Sequence, residues 1–211
     1  VYKRQILFPL LNVEEIAVIS REYMNKVQFL FAGGFIIALA IQKWGLHKRV
    51  ALNILKFSGL NSQGIVASFM VASAVLSMWV MNTSTAIMLL PVGISVIKVI
   101  NDTVSDITDN QKFNFQLCLL LGIAYAASVG GIATPIGTSP NGVLIQFASN
   151  NYDYDIGFAN WISIGLPITL GLGPIIWIFL TRIIFPVNFS ATQESKDKLN
   201  SMLKELGPMS N

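Results

Sequence analysis

Two short polar stretches interrupt the apolar body of this chain, and their residue types suit the binding of small ions rather than bond-making chemistry. The first reads Ser77-Met-Trp-Val-Met-Asn-Thr-Ser-Thr85, and the second reads Gly130-Gly-Ile-Ala-Thr-Pro-Ile-Gly-Thr-Ser-Pro-Asn-Gly142. Pro135 and Pro140 remove backbone donors, and the glycines permit conformations that other residues resist. Each break should leave a helix C-terminal end with free carbonyls, expected at Met78–Met81 and at Tyr125–Gly130. Each should also leave an N-terminal end with free N–H groups, expected at Thr83–Ala86 and at Asn141–Leu144. Carbonyl ends suit a cation and N–H ends suit an anion. Neither break contains Lys, Arg, Asp or Glu. A bound dianion would then be neutralised only by helix ends, hydroxyls and co-bound cations, which argues for cation coupling.

An Asn-Thr-Ser cluster or a Gly/Pro kink alone is more often structural than functional. Two of them, in consecutive apolar regions each badly sized for a simple span, are less ordinary. Non-helical backbone at membrane depth is tolerated only where protein or a water-filled cavity satisfies it, and polar side chains there are costly against lipid. Both breaks are therefore expected to face one internal site.

The elements that must position these breaks are membrane helices. Of the 211 residues, 53% are apolar and 12% charged, against about 25% charged in a soluble domain. The mean hydropathy is +0.61. A formal charge of +3, spread over short loops, gives no basis for nucleic-acid binding. Cys118 stands alone in an apolar run, which excludes a disulfide framework and suits a buried thiol. The chain opens on Val1 with no signal-peptide pattern, and Ile6–Leu11 is too short to span, so a missing upstream segment is expected.

Val27–Gln42 reads as one ordinary span, with Gly33–Gly34 able to admit a neighbouring helix. A basic connector, Lys43–Lys56, follows with the pattern of a surface helix. It holds His47, expected as surface charge. Ile65–Met81 and Thr85–Ile97 are apolar arms on either side of Asn82–Thr83–Ser84. They fit either one interrupted helix or a re-entrant hairpin. A polar loop, Asn101–Lys112, leads into the interrupted region Phe113–Ser149. The acidic loop Asn150–Asp155 precedes a last span, Ile156–Phe185, with Pro167 and Pro174 as kinks. Basic ends placed in the cytoplasm leave an even number of crossings between Lys56 and Lys112, which a hairpin satisfies. Trp44 on one face, and Tyr152, Tyr154 and Trp161 on the other, fit interfacial belts. Ser195–Leu206 has the spacing of an amphipathic linker helix stopped by Gly207–Pro208.

The expected fold is thus an all-α polytopic membrane protein in three segments. Residues 1–61 form a scaffold-type segment with one transmembrane helix and a cytoplasmic surface helix. Residues 62–189 form a transport-type segment of hairpin (62–100), broken helix (113–149) and last span (156–185). Residues 190–211 form the cytoplasmic linker.

The stretch Ser77–Ala86 with Leu90–Pro91 resembles the Ser-Asn-Thr signature at the hairpin tip of the divalent anion/sodium symporter family. Gly137-Thr-Ser-Pro-Asn141 resembles that family's paired loop in a broken helix. The similarity extends to Phe29–Leu46, with Gly33–Gly34 and Gln42-Lys-Trp-Gly-Leu46, and to Glu205–Ser210, so it covers most of the chain in order. This resemblance implies sodium-coupled carriage of dicarboxylates or citrate at the cell membrane, by a homodimer whose transport domain moves like an elevator. It implies sodium held by Ser77, Asn82, Gly137 and the backbone of Met81. It also implies a substrate carboxylate at Asn82, Thr83, Thr138 and Ser139. Met81 stands where the family signature has a serine, so one tip hydroxyl is absent. The family's second, inverted copy of hairpin and broken helix is also absent from these residues, and a complementary half is expected to supply it. Two rivals remain: a sodium-independent anion exchanger of the same fold, and a non-transporting membrane assembly protein whose breaks serve helix packing. An enzyme is not expected, because no nucleophile–base pair or metal cluster is legible.

Overall fold

The computed structural model describes residues 2–13, 15–23, 26–55, 59, 61–105 and 107–205. They form α1 (Tyr2–Leu10), α2 (Ile16–Tyr23), α3 (Lys26–Lys43), α4 (Leu46–Leu55) and α5 (Ser62–Ser77). Then come α6 (Asn82–Thr103), α7 (Asp109–Ile132), α8 (Ser139–Tyr152), α9 (Phe158–Ile178) with a π-helical turn at Phe179–Ile184, and α10 (Gln193–Glu205). Among the described residues no strand forms beyond an isolated antiparallel bridge, Asn61 to Ser190. The chain is an all-α polytopic membrane protein. Asn82–Thr103, Asp109–Ile132 and Phe158–Ile184 are each long and apolar enough to cross a bilayer.

α3 ends where Gly45 takes a positive φ of 61°, and α4 leaves it at 72°. Most of α3 is exposed, but Gly34 lies beside Ile136 of the second break: a Cβ there would stand 3.7 Å from the Ile136 Cβ. α4 turns Ala51 and Leu52 into the core shared with α5, α6 and α7. His47 departs from expectation. It is 6% exposed, with Nδ1 lacking a partner, because the bend after Gly45 rolls the start of α4 inward. Lys56, the end of the expected connector, lies outside the described residues. α1 covers most of the short apolar stretch Ile6–Leu11, and α2 lies where no element was expected.

α5 and α6 are joined by the four-residue break 78–81, and their far ends stand on one support. At the foot of α5, Ser62 N donates to Phe189 O at 3.0 Å, and Ser62 Oγ accepts from Phe189 N at 3.2 Å. Gln63 Nε2 donates to Val187 O at 3.0 Å. At the foot of α6, the Thr103 and Ser195 hydroxyls lie 2.6 Å apart. The start of α7 reaches the same support through Asn114 Nδ2 to Pro186 O, 3.3 Å, and an edge-on contact of Phe115 with Phe189. Segment 186–195 therefore gathers both feet of the α5/α6 pair and the start of α7. The two arms return to one side, which is the geometry of a hairpin. α6 is longer than the expected arm, running on to Thr103, because Lys98, Asn101 and Asp102 stay on its half-buried or exposed faces.

α5 and α7 run side by side from this support, and glycines set their spacing. A Cβ at Gly122 would stand 3.1 Å from Met70 Cγ, and one at Gly130 only 2.3 Å from Ala74 O. Ser73, fully buried between them, donates its hydroxyl to Ile123 O at 2.7 Å. This is close helix packing through small residues, the mode that works without water to drive association. α9 closes the other side of α7 through Thr169 Oγ1 to Val129 O and Trp161 Nε1 to Ile132 O, both 2.9 Å. It runs through Pro167 and Pro174 without a break in the helix and ends in the π turn. α8 ends at Asp153, whose φ of 51° is a left-handed cap. α10 starts from a reciprocal pair, Thr192 N to Ser195 Oγ and Ser195 N to Thr192 Oγ1, both 3.1 Å. Leu199 packs on the core, while Leu206, Gly207 and Pro208 lie outside the described residues.

The seam gives a direct expectation. Gly130→Ala forces backbone apart rather than a side chain, so it should cost about 1–3 kcal/mol, as overpacking does. Gly171→Ala, with nothing within 4 Å of the added Cβ, should be neutral. Melting of the two variants in detergent, read by aggregation or by tryptophan emission, separates them. Equal melting temperatures would show that the seam can open freely.

Candidate functional site

The seam ends where the two breaks meet. Beyond Gly130, a Cβ at Gly137 would stand 2.8 Å from Ser77 O and 2.5 Å from Gly131 O, so the second break lies against the last turn of α5. Three oxygens surround the end of the Asn82 side chain: Ser77 Oγ at 2.7 Å, Ala127 O at 3.1 Å and Gly137 O at 3.2 Å. Gly131 leaves the room for that side chain, since a Cβ there would fall 2.2 Å from Asn82 Oδ1. Three acceptors around one amide admit two solutions. With the nitrogen inward, the two N–H groups of Asn82 are shared among the three acceptors. With the oxygen inward, Asn82 Oδ1 accepts from the Ser77 hydroxyl at 2.7 Å and lies beside two carbonyls, an all-oxygen cluster of the kind that binds a cation.

The donor set decides which cation that could be. All four oxygens are hard and uncharged: one hydroxyl, one amide and two carbonyls. Divalent sites use carboxylates, and transition metals prefer nitrogen or sulfur. Among the described residues no group of three or more His, Cys, Asp or Glu could hold a metal. A neutral oxygen cage suits a monovalent cation.

Most carbonyls expected to be free are not. At the end of α5, Met78 O accepts from the Thr134 hydroxyl, Val80 O from Thr85 Oγ1 at 3.4 Å, and Met81 O from Thr85 N at 2.9 Å. α7 runs two residues beyond the expected end, and its last carbonyls are taken as well. Val129 O and Ile132 O accept from α9 as above, Gly130 O accepts from Ala133 N at 3.1 Å, and Gly131 O from Asn141 Nδ2 at 2.8 Å. Buried acceptors are seldom left unpaired, so nearby side chains claim them. Of the carbonyls expected at Tyr125–Gly130, Ala127 O does face Asn82, and a second carbonyl comes from the loop, at Gly137.

The N-terminal ends are more open. Neither Met81, the N-cap of α6, nor Thr138, the N-cap of α8, caps its helix with a side chain. The first N–H groups of a helix have no intrahelical acceptor. At α8 this offer is small, because Pro140 has no N–H and Asn141 N donates to Thr138 O at 3.2 Å. At α6, Asn82, Thr83 and Ser84 all keep their N–H groups. Thr83, Ser84, Ser139 and Pro140 are exposed, while Asn82, Met81 and Thr138 are half-buried. So the structure brings together Ser77, Asn82 and Gly137. It places Thr83, Thr138 and Ser139 at the helix starts that follow the two breaks, and it spends the Met81 carbonyl on the first turn of α6.

Sequence reasoning missed the residues that hold the breaks. Asn141, 7% exposed, donates to both Gly131 O and Thr134 O at 2.8 Å and so ties the start of α8 to the end of α7. Thr134, Thr169 and Trp161 bind other broken-end carbonyls. The available signal was polar residues within apolar segments, which lipid penalises.

A helical membrane protein that severs two helices and joins their ends in one polar cluster has the build of a secondary transporter. Sequence comparison agrees: the family model described as citrate transporter (CitMHS) matches residues 5–206, and the chain belongs to that family. It is 36% identical over 205 residues to a sodium-dependent dicarboxylate transporter, SdcS, of Staphylococcus aureus, covering 97% of this chain and 39% of that protein. Against the SdcS of Staphylococcus saprophyticus the identity is also 36%, over 97% of this chain and 40% of the relative. The resemblance to sodium-dependent dicarboxylate and citrate carriers is borne out, and the family and these relatives are transporters, not enzymes. The chain spans about two-fifths of the length of those relatives.

Asn141→Leu keeps the volume and removes the donor. It should leave Gly131 O unpaired, at about 1–3 kcal/mol, and leave Thr134 O with only its 3.3 Å bond from Gly137 N. Thermal unfolding of the purified protein measures this. A variant as stable as the parent would mean that water replaces the amide.

Proposed function

We propose that this chain is part of a sodium-coupled carrier of small dianions, dicarboxylates or citrate, and that it supplies one ion site and part of the substrate site. The observation that carries the reading is the convergence of Ser77 Oγ, Gly137 O and the Asn82 amide from two broken helices. In this reading sodium takes the place of the inward amide nitrogen, and Asn82 Oδ1 turns to meet it with Ser77 and Gly137. The Met81 carbonyl, already accepting from Thr85 N, adds its second lone pair. A substrate carboxylate lies against the N–H groups at the start of α6 and the hydroxyls of Thr83, Thr138 and Ser139. The positive ends of the helices favour it.

The site is neutral, so cation and anion support one another. Each lowers the electrostatic cost of the other, and linkage makes the effect reciprocal. Thr83 and Ser139 remain exposed, and there a complementary half completes the dianion's cage. The homologous sodium-dependent dicarboxylate transporters support sodium as the coupling ion and dicarboxylates as the cargo.

The larger assembly follows from the same proposal. Residues 62–189 act as the transport segment, residues 1–61 as scaffold and residues 190–211 as cytoplasmic linker, in a homodimer of the cell membrane whose transport domains move as elevators. The basic loops, including the α4 connector, lie on the cytoplasmic side.

The test is uptake of labelled succinate by the intact carrier in proteoliposomes. Replacing sodium by choline should reduce uptake to background. Asn82→Ala should raise the half-saturating concentrations of both sodium and succinate by about tenfold or more, since one group serves both. Uptake that persists in choline without a counter-anion would remove sodium from the mechanism. Unaltered half-saturation in Asn82→Ala would remove Asn82 from the site.

A further inference from the structure

We infer that Thr134 is the positioning residue of the ion site, joining the hairpin tip to the broken helix so that Gly137 O and Asn82 meet. It touches neither ion nor substrate and acts through three hydrogen bonds. Its hydroxyl donates to Met78 O, across the gap between the two breaks. Its carbonyl accepts from Asn141 Nδ2 at 2.8 Å, the start of α8, and from Gly137 N at 3.3 Å. Thr134 is 3% exposed, so water does not substitute for these partners. One residue thus fixes the last turn of α5, the first turn of α8 and the peptide that ends in the Gly137 carbonyl.

The position is specified by chemistry and not only by size. Thr134 precedes Pro135, and a residue before proline is held out of the helical region. That stops α7 and turns the Thr134 side chain across the break instead of along a helix. The Met78 carbonyl it claims belongs to the residue following Ser77, so the bond also locks the turn that carries the Ser77 hydroxyl. An ion site gains affinity when its ligands are held in place before binding. Loss of the Thr134 hydroxyl frees the tip and leaves a buried acceptor at Met78.

This role rests on the sodium reading proposed above, and the experiment separates the two. Thr134→Val and Thr134→Ala remove the donor, while Thr134→Ser retains it. In the intact carrier, Thr134→Val should raise the half-saturating sodium concentration about tenfold, with succinate affinity at saturating sodium changed far less. Thr134→Ser should restore the parent value. Thr134→Ala gives the same reading if the valine variant fails to fold. Independently of sodium, amide hydrogen exchange at residues 78–82 should quicken in Thr134→Val and Thr134→Ala but not in Thr134→Ser. Sodium dependence unchanged in the valine and alanine variants, or a serine variant as impaired as they are, would overturn the assignment. If the parent shows no sodium dependence, the transport reading falls, and the exchange rates alone decide whether Thr134 holds the tip.

Discussion

The backbone contact between α5 and α7 is the constraint on which the rest depends. Gly122, Gly130 and Gly137 face Met70, Ala74 and Ser77 in the same order along both segments; Gly122 meets the Met70 side chain, and at Gly130 and Gly137 backbone meets backbone. In lipid no hydrophobic gain forces helices together, and contact must come from close packing and interhelical hydrogen bonds. Both are present: the glycine seam supplies the first, and Ser73 to Ile123 O supplies the second. A hairpin tip and a helix break that were merely at similar depths would not share a site. They share one because the seam brings Gly137 against the turn that follows α5.

That contact creates an accounting problem at the broken ends. Severing a helix exposes up to four carbonyls and four N–H groups, and bilayer depth offers no water to most of them. The carbonyls are settled within the protein by Thr134, Thr169, Trp161 and Asn141, each from a different position around the break. The N–H groups at the start of α6 have no side-chain cap, and on the proposed reading they are left for the anion. The asymmetry has a physical basis, since a fixed donor on a neighbouring side chain can satisfy a carbonyl permanently. An anion that must enter and leave needs donors with no permanent partner. On the proposed reading the cation is handled differently again: its place is held by an amide that can present either nitrogen or oxygen.

Much of this was legible in the sequence, because composition and residue chemistry carry it. The long apolar runs, the two polar interruptions and the glycine-proline chemistry of Gly130–Gly142 located the breaks and their convergence. The hairpin was legible only through charge bookkeeping, whereas the structure supports it through Ser62 and Thr103 meeting the same segment. What escaped was pairwise. Nothing in the one-dimensional order says that Trp161 reaches Ile132 O, or that Thr134 reaches Met78 O, because those partners lie 29 and 56 residues apart. His47 was misplaced for a related reason. Its neighbours are basic, but burial follows from the turn at Gly45, where a positive φ rotates the next helix inward.

The neutrality of the cluster has a consequence for any cargo it serves. A carboxylate ligand would bind a cation tightly without help, and the cation would then stay when the anion left. Neutral oxygens hold a monovalent ion weakly on their own, because the ion's water is costly to remove and no full charge offsets that loss. Bringing a dianion to the helix starts nearby supplies the missing charge, so on the proposed reading ion and anion are held best together. A carrier needs that property, since a site that closed on one alone would leak.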